Sequence, residues 1–213
     1  AETPGASPNR ASVMAPAESP RYIPAMRSLA FAAALFLATP VLAANAPPQL
    51  APYAVKQLDK LMPKLAKAGS PEAAKPIETQ VLQLFNQSGS ASVDLLMVRA
   101  ASAAHAGDSD TSAKLLESIT DIAPGFAEAW RVRGMMAADA DNDKEAIIYL
   151  NKAITLNPRQ FQAYADLAGI LAEYGDKKQA LQYFRKALAL DPYYEGLDKQ
   201  VQQLARQVEG EKI

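Results

Sequence analysis

The chain of 213 residues has no cysteine and a single histidine. Without cysteine there is no disulfide framework, no thiolate metal site and no cysteine nucleophile. His105 has no second histidine to complete a metal site, and the HExxH, GxSxG, GxxxxGK[ST] and GxGxxG signatures are all missing. We therefore expect no enzyme, no metal and no cofactor, with His105 exposed or at the edge of a groove.

Excess charge of either sign is also missing. Lys and Arg number 22 and Asp and Glu number 23, which gives a formal net charge of −1. The basic residues are scattered among acidic ones, so no stripe suited to a phosphate backbone arises and nucleic acid is not an expected partner. Apolar residues make up 49% of the chain, which is enough to bury a core.

Residues 26–43 have the features of a secretory signal peptide. Met26 and Arg27 precede an uncharged, mostly apolar run that ends in small residues at Ala43. Cleavage after Ala43 would release the chain into the periplasm without stable membrane insertion. An uncleaved anchor is the alternative, although the run is shorter than the ~20 residues that a spanning helix needs.

The segment before the apolar run is not expected to fold. Residues 1–25 combine Ser, Ala and Asn with several prolines, a composition that cannot build a packed element. Two interpretations stay open for it: an extended start that is not natively translated, and a disordered leader. Residues 44–50 are read as a linker. The prolines are Pro4, Pro8, Pro16, Pro20 and Pro24.

An internal repeat dominates the rest of the chain. Pro124, Pro158 and Pro192 are spaced by 34 residues, and other columns agree when the sequence is shifted by that period. The aligned columns are Leu96, Trp130 and Tyr164; Ala100, Gly134 and Ala168; Gly107, Asp141 and Gly175; Ser112, Ala146 and Ala180.

The stretches "AWRVRG…EAIIYLNKAITLNP" and "AYADLAGILAEYGDKKQALQYFRKALALDP" resemble the tetratricopeptide repeat (TPR). The resemblance extends from residue 93 to the end, and the segment before it is similar to small exported repeat proteins of alphaproteobacteria. It implies an all-α, right-handed solenoid of helix-turn-helix units at 93–126, 127–160 and 161–193. It also implies binding of a protein or peptide in the concave groove.

Gly134 needs a physical reason, since glycine inside a helix costs roughly 1 kcal/mol relative to alanine. We expect it to face Ala146 and Ala153, so that the two helices of the second unit approach closely, with Trp130 filling the space beside them. Gly107, Asp141 and Gly175 suit the tight turns between paired helices.

The repeat weakens at both ends. Residues 51–92 predict an N-terminal helical hairpin that caps the array, or a degenerate fourth unit. Residues 194–213 predict a closing helix and tail, with Leu197, Val201, Leu204 and Val208 at helical spacing. Tyr193 and Tyr194 are expected to pack at the junction of the last unit and this closing helix.

The family resemblance also supplies candidate groove residues, which come from the first helix of each unit. The carboxylate clamp of family members that bind acidic peptides is absent, and Arg131 is expected to be the one fixed charge in a shallow, partly apolar groove. Alternatively, the methionines pack only against neighbouring helices. The candidates are Asp94, Met97, Ala101, Ala104 and His105; Glu128, Arg131, Met135, Ala138 and Asp139; Gln162, Ala165, Gly169, Ala172 and Glu173.

The turn "DADNDKE" spaces Asp139, Asp141 and Asp143 like the start of a calcium loop. However, Lys144 and Leu150 stand where that loop needs glycine and glutamate, so an acidic turn is the better interpretation. The sequence thus predicts a non-enzymatic adaptor or scaffold in the bacterial cell envelope. A self-associating structural protein that acts through its terminal helices, and so forms a homo-oligomer, is the alternative.

Overall fold

A computed structural model describes residues 50–194 and 196–210. The predicted leader, signal peptide and most of the linker lie outside these residues. The described part contains nine α-helices and no strand: α1 (Pro52–Leu65), α2 (Pro71–Phe85), α3 (Ala91–His105), α4 (Ser109–Ile122), α5 (Ala127–Asp139), α6 (Asp143–Leu156), α7 (Phe161–Glu173), α8 (Lys177–Leu190) and α9 (Leu197–Glu209). No helix in this part is long and apolar enough to cross a bilayer.

Three helix pairs form the repeat units: α3 with α4, α5 with α6, and α7 with α8. Each second helix ends two residues before a proline of the period, at Ile122, Leu156 and Leu190, because the residue before a proline is disfavoured in the α conformation. The predicted all-α solenoid is confirmed.

The turn inside each unit is the same. Gly107, Asp141 and Gly175 have φ angles of +80°, +57° and +94°, a left-handed conformation that favours glycine. The residue after each of them is the N-cap of the second helix. In the outer two units, Asp108 and Asp176 each accept a hydrogen bond of 3.0 Å from a backbone N–H three residues on.

The turn between units is built by the residue before the proline. Asn157 Oδ1 accepts a hydrogen bond from the N–H of Arg159 at 3.3 Å, and Asp191 Oδ1 accepts one from the N–H of Tyr193 at 3.1 Å. Both side chains are buried, and Asp191 Oδ2 has no hydrogen-bond partner in the described part. Burial raises the pKa of Asp191 from 3.8 to about 6; the N–H of Tyr193 and Lys75 counteract this rise, whereas Glu78 adds to it.

Gly134 is buried where α5 crosses α6, but its main neighbour differs from the prediction. An added Cβ would lie 2.7 Å from Leu150 Cγ and 3.3 Å from the carbonyl oxygen of Ala146, whereas Ala153 is not among its nearest neighbours. The space is therefore needed by the leucine side chain. Trp130 lies beside the crossing, with its ring centroid 5.7 Å from that of Tyr149 and its Nε1 donating to the Pro124 carbonyl at 2.9 Å.

The N-terminal hairpin does not cap the first unit as the sequence suggested. Its apolar residues belong to the same core as the second and third units and α9, whereas the first unit has a separate apolar cluster. The Phe85 ring lies 5.9 Å from that of Phe161, and Arg159 Nη2 lies 2.5 Å from Asp59 Oδ1. Phe161, the first residue of α7, thus gives the hairpin a large, fully buried apolar contact.

The closing helix α9 behaves as predicted. Leu197 and Leu204 are buried, and Val201 and Val208 pack against the same core. Tyr194 packs on Phe161, with ring centroids 5.2 Å apart, at the junction of the last unit and α9. The outer face of α9 is polar, so this end of the array is closed.

Candidate functional site

A cavity of about 460 Å³ lies between α5, α7 and α9. Six of the predicted groove residues line it: Met135, Ala138, Asp139, Ala165, Gly169 and Glu173. The remaining lining residues are Asp166, Ile170, Phe184, Tyr194, Leu197 and Gln200. The structure thus brings together six of the ten candidates of the second and third units.

Apolar residues around Gly169 form one part of the cavity lining, which we call the apolar floor, and polar groups supply most of the rest. Gly169 sits inside α7, and a Cβ added there would meet no atom within 4 Å. Two partly buried residues also line this part: Met135 on α5, and Ala165 one turn before Gly169 on α7. A side chain from a ligand could therefore approach the backbone of α7 at Gly169, since no protein side chain occupies that position.

One edge of the groove is held by a buried ionic network. Arg131 Nη2 donates to Glu128 Oε1 at 2.8 Å and Nε donates to Oε2 at 3.0 Å, while Nη1 donates to Asp166 Oδ2 at 2.9 Å. Gln160 Nε2 donates to the same Glu128 carboxylate. Only 17% of the Arg131 side chain and 16% of Asp166 are exposed. The network therefore links α5 to α7.

This network corrects the expected role of Arg131. Burial alone would lower its pKa, but Glu128 and Asp166 raise it, so the guanidinium is always charged. Burial raises the pKa of Asp166, although Arg131 opposes that rise. With one cation against two carboxylates, the network carries a formal charge of −1. Arg131 is thus not a free cation that could bind an acidic ligand, and sequence reasoning missed Asp166.

The other edge of the groove, at the C-terminal ends of the same two helices, carries two further carboxylates. Asp139 and Glu173 are the last residues of α5 and α7, both are exposed, and neither has an ion-pair or hydrogen-bond partner in the described part. Their positions are equivalent in the repeat, so they lie on the same side of the array. The carbonyl ends of both helices add partial negative charge there.

The candidates of the first unit do not line this cavity. Asp94 accepts hydrogen bonds from the N–H and the hydroxyl of Ser88 at 2.9 and 2.6 Å, and so fixes the start of α3. Met97 packs on the apolar cluster of the first unit, as the alternative interpretation held. Ala101, Ala104 and His105 are exposed, while Gln162, in the third unit, is partly buried outside the lining.

Part of the groove wall was not predicted. Leu197 and Gln200 come from α9, which continues the period of 34 where the first helix of a further unit would stand. Leu197 is equivalent in this spacing to Ala163, and Gln200 to Asp166. The signal was therefore present, but α9 was interpreted only as a cover for the last unit.

A second cavity, of about 840 Å³, lies between the first two units and is lined mainly by α4, α5 and α6. Two predicted groove residues, Ala104 of α3 and Asp139, are also in its wall. Arg133 lies at its wall with its guanidinium carbon 4.5 Å from the Tyr149 ring centroid and 5.4 Å from that of Trp130. Arg133 Nη1 also donates to Thr120 Oγ1 at 2.6 Å. Arg133 thus fixes the two aromatic rings. Nowhere in residues 50–194 and 196–210 do three or more His, Cys, Asp or Glu side chains form a possible metal site.

The paired helices, the common turns and the open groove define a helical-repeat protein. Residues 127–160 and 161–194 each match the family model described as tetratricopeptide repeat. A TPR repeat-containing protein of Rhizobium etli is 26% identical over 113 residues, which cover 53% of this chain and 55% of that protein. The chain thus spans about half the length of the curated relative it matches.

Two solved structures show the same fold. An O-GlcNAc transferase mutant of Thermobaculum terrenum has a TM-score of 0.51 and 23% identity, covering 55% of this chain and 22% of that one. The first TPR of Spaghetti (RPAP3), bound to the HSP90 peptide SRMEEVD, has a TM-score of 0.52 and 14% identity, covering 55% of this chain and 93% of that one. At these identities the similarity concerns the fold.

Proposed function

We propose that this protein is a non-enzymatic adaptor that binds a peptide segment of a partner protein in the groove between α5, α7 and α9. The single observation that carries the proposal is the open apolar floor at Gly169, flanked by polar side chains along both edges. A groove of this kind takes an extended or helical peptide, because apolar side chains fill the floor while the polar edges fix orientation.

One further point supports the proposal: the Spaghetti repeats bind a peptide on the same fold. The O-GlcNAc transferase shows that such repeats also occur within enzymes; this chain covers only 22% of that protein. A peptide-binding role needs only the groove that the repeats provide.

The test uses two substitutions at one position. Because Gly169 lies in a helix beside unfilled space, Gly169→Ala should leave the groove open, whereas Gly169→Trp should fill it. Peptides selected from a random displayed library on the Gly169→Ala protein should bind the Gly169→Trp protein at least tenfold more weakly, with unchanged helicity by circular dichroism. Equal binding by both variants would exclude the groove as the site.

We propose export to the periplasm as the location, with the groove acting in the bacterial cell envelope. The support is the sequence of residues 26–43 alone, with a positive residue, a short apolar run and small residues before Ala44. Fractionation of cells that express the full chain, with N-terminal sequencing of the product, is the test. A periplasmic product that starts at Ala44 is expected, and a cytoplasmic product of full length would contradict this location.

A second candidate function, self-association, is favoured by one observation. Leu95 and Val98 on α3 are 51% and 61% exposed, whereas Ala129 and Ala163, one and two periods after Leu95, have no exposed surface. The leading face of the first unit thus offers an uncovered apolar surface for a contact between copies. Light scattering should show a concentration-dependent mass that Leu95→Lys with Val98→Lys abolishes; a constant monomer mass would exclude this function.

A further inference from the structure

We infer that the groove selects a peptide segment with net positive charge, in which lysine or arginine side chains flank a small or apolar residue. The inference rests on the proposed function and deepens it by naming the class of ligand. It is carried by the charges along the two edges of the groove, since the apolar floor alone would accept a peptide of either charge.

The first edge cannot hold an anion. Arg131 contacts the lining residue Asp166 and already binds Glu128 and Asp166 at 2.8 and 2.9 Å. Breaking either contact to pair with a ligand carboxylate would leave a buried carboxylate without its cation, which is costly. The network therefore presents a formal charge of −1 to the groove.

The second edge adds charge of the same sign. Asp139 and Glu173 line the cavity, have no ion-pair partner in the described part and stand at the C-terminal ends of α5 and α7. The helix ends contribute partial negative charge at the same place, so both the carboxylates and the helix C-termini attract a cation there. Among the described residues that line the cavity there is no lysine or arginine. Three formal negative charges thus surround the apolar floor.

This polarity is opposite to that of the ligand bound by one structural neighbour. The HSP90 peptide on Spaghetti, SRMEEVD, contains three acidic residues and one arginine. An acidic peptide of that composition would meet like charges on both edges of the present groove. Repulsion between like charges weakens the binding of such a peptide. A basic peptide meets complementary charge and places its apolar side chain at Gly169.

The experiment is to sequence and measure the peptides obtained by selection on the full chain with Gly169→Ala. Groove-dependent peptides, meaning those that Gly169→Trp excludes, should be enriched in lysine and arginine, and their binding should weaken as salt is raised from low to physiological concentration. Asp139→Asn with Glu173→Gln should weaken them by about two- to tenfold. The control variant, Asp121→Asn with Asp198→Asn, removes two acidic charges outside the cavity lining. It should leave the affinity of these peptides unchanged.

The outcomes separate the two claims. The charge preference would be overturned if the groove-dependent peptides were acidic or uncharged. It would also be overturned if Asp139→Asn with Glu173→Gln left their affinity unchanged. In both cases peptide binding in the groove would still be supported. An absence of any groove-dependent peptide would overturn the proposed function, and the charge preference with it.

Discussion

The ring of Phe85, the last residue of α2, lies 5.9 Å from the ring of Phe161, the first residue of α7. Both side chains are buried, and 75 positions of sequence separate them. Through this contact the N-terminal hairpin packs on the third unit. The first unit, although it is nearer in sequence, has a separate apolar cluster. The same phenylalanine ring also packs on Tyr194, so Phe161 joins the hairpin to the junction with α9.

Phe85→Ala should detach the hairpin. Removing a buried phenylalanine leaves a cavity and costs about 3–5 kcal/mol of unfolding free energy. Urea denaturation should show that loss, and limited proteolysis should cut first in the turn between α1 and α2. Tyr53→Ala, which removes an exposed aromatic side chain from the same hairpin, should change stability by less than about 0.5 kcal/mol. Equal effects of the two variants would contradict the role given to Phe85.

Alanine should have opposite effects at two helical glycines. At Gly134 the new Cβ would lie 2.7 Å from Leu150 Cγ, so overpacking should cost about 1–3 kcal/mol despite alanine's better helix propensity. At Gly169 the Cβ meets no atom within 4 Å, so Gly169→Ala should stabilise by about 0.5–1 kcal/mol. Thermal and urea denaturation of both variants give the sign. Stabilisation by Gly134→Ala would refute the close packing of α5 on α6.

Arg131→Met should destabilise the fold as well as alter the groove. It leaves the Glu128 and Asp166 carboxylates buried without their cation, at a cost of about 2–3 kcal/mol after allowance for partial exposure. Urea denaturation measures this loss. Arg185→Met breaks a pair with Glu209 that is about half exposed and should cost much less, because water screens an exposed ion pair. If Arg131→Met cost no more than Arg185→Met, the network would not hold α5 to α7.

Asp191 should make the protein less stable as pH rises from about 4 to 6. Its pKa is 3.8 when unfolded and about 6 in the fold, where burial is the largest cause of the rise. The native state therefore holds the proton more tightly, and the stability present below pH 4 is lost as the pH passes 6. Asp191→Asn should remove this loss, about 1–3 kcal/mol, while keeping the bond from the N–H of Tyr193.

Urea denaturation at pH 4, 5, 6 and 7 measures the effect of Asp191. Asn157 occupies the equivalent position one period earlier and makes the same turn, so Asn157→Asp should introduce a similar loss with rising pH. A wild-type stability that changes with pH in the same way as that of Asp191→Asn would show that Asp191 has an ordinary pKa.

Local chemistry accounts for what was predictable in the repeat. The left-handed turn at Gly107, Asp141 and Gly175 and the caps that follow it depend on three or four adjacent residues, and the period of 34 places them in register. The proline-terminated helices follow for the same reason. The groove candidates of the second and third units came from the family resemblance, and six of them line the cavity between α5, α7 and α9.

By itself, the sequence determined the helices, their turns and the repeat, since these depend on residues within a few positions of each other. Only the tertiary structure decided where the hairpin packs, which side chain Gly134 admits and whether Arg131 is free. Each of these depends on partners distant in sequence: Phe161 for Phe85, Leu150 for Gly134 and Asp166 for Arg131. A buried charge or ring is fixed by the neighbours that exclude water from it, and those neighbours are known only once the helices have packed.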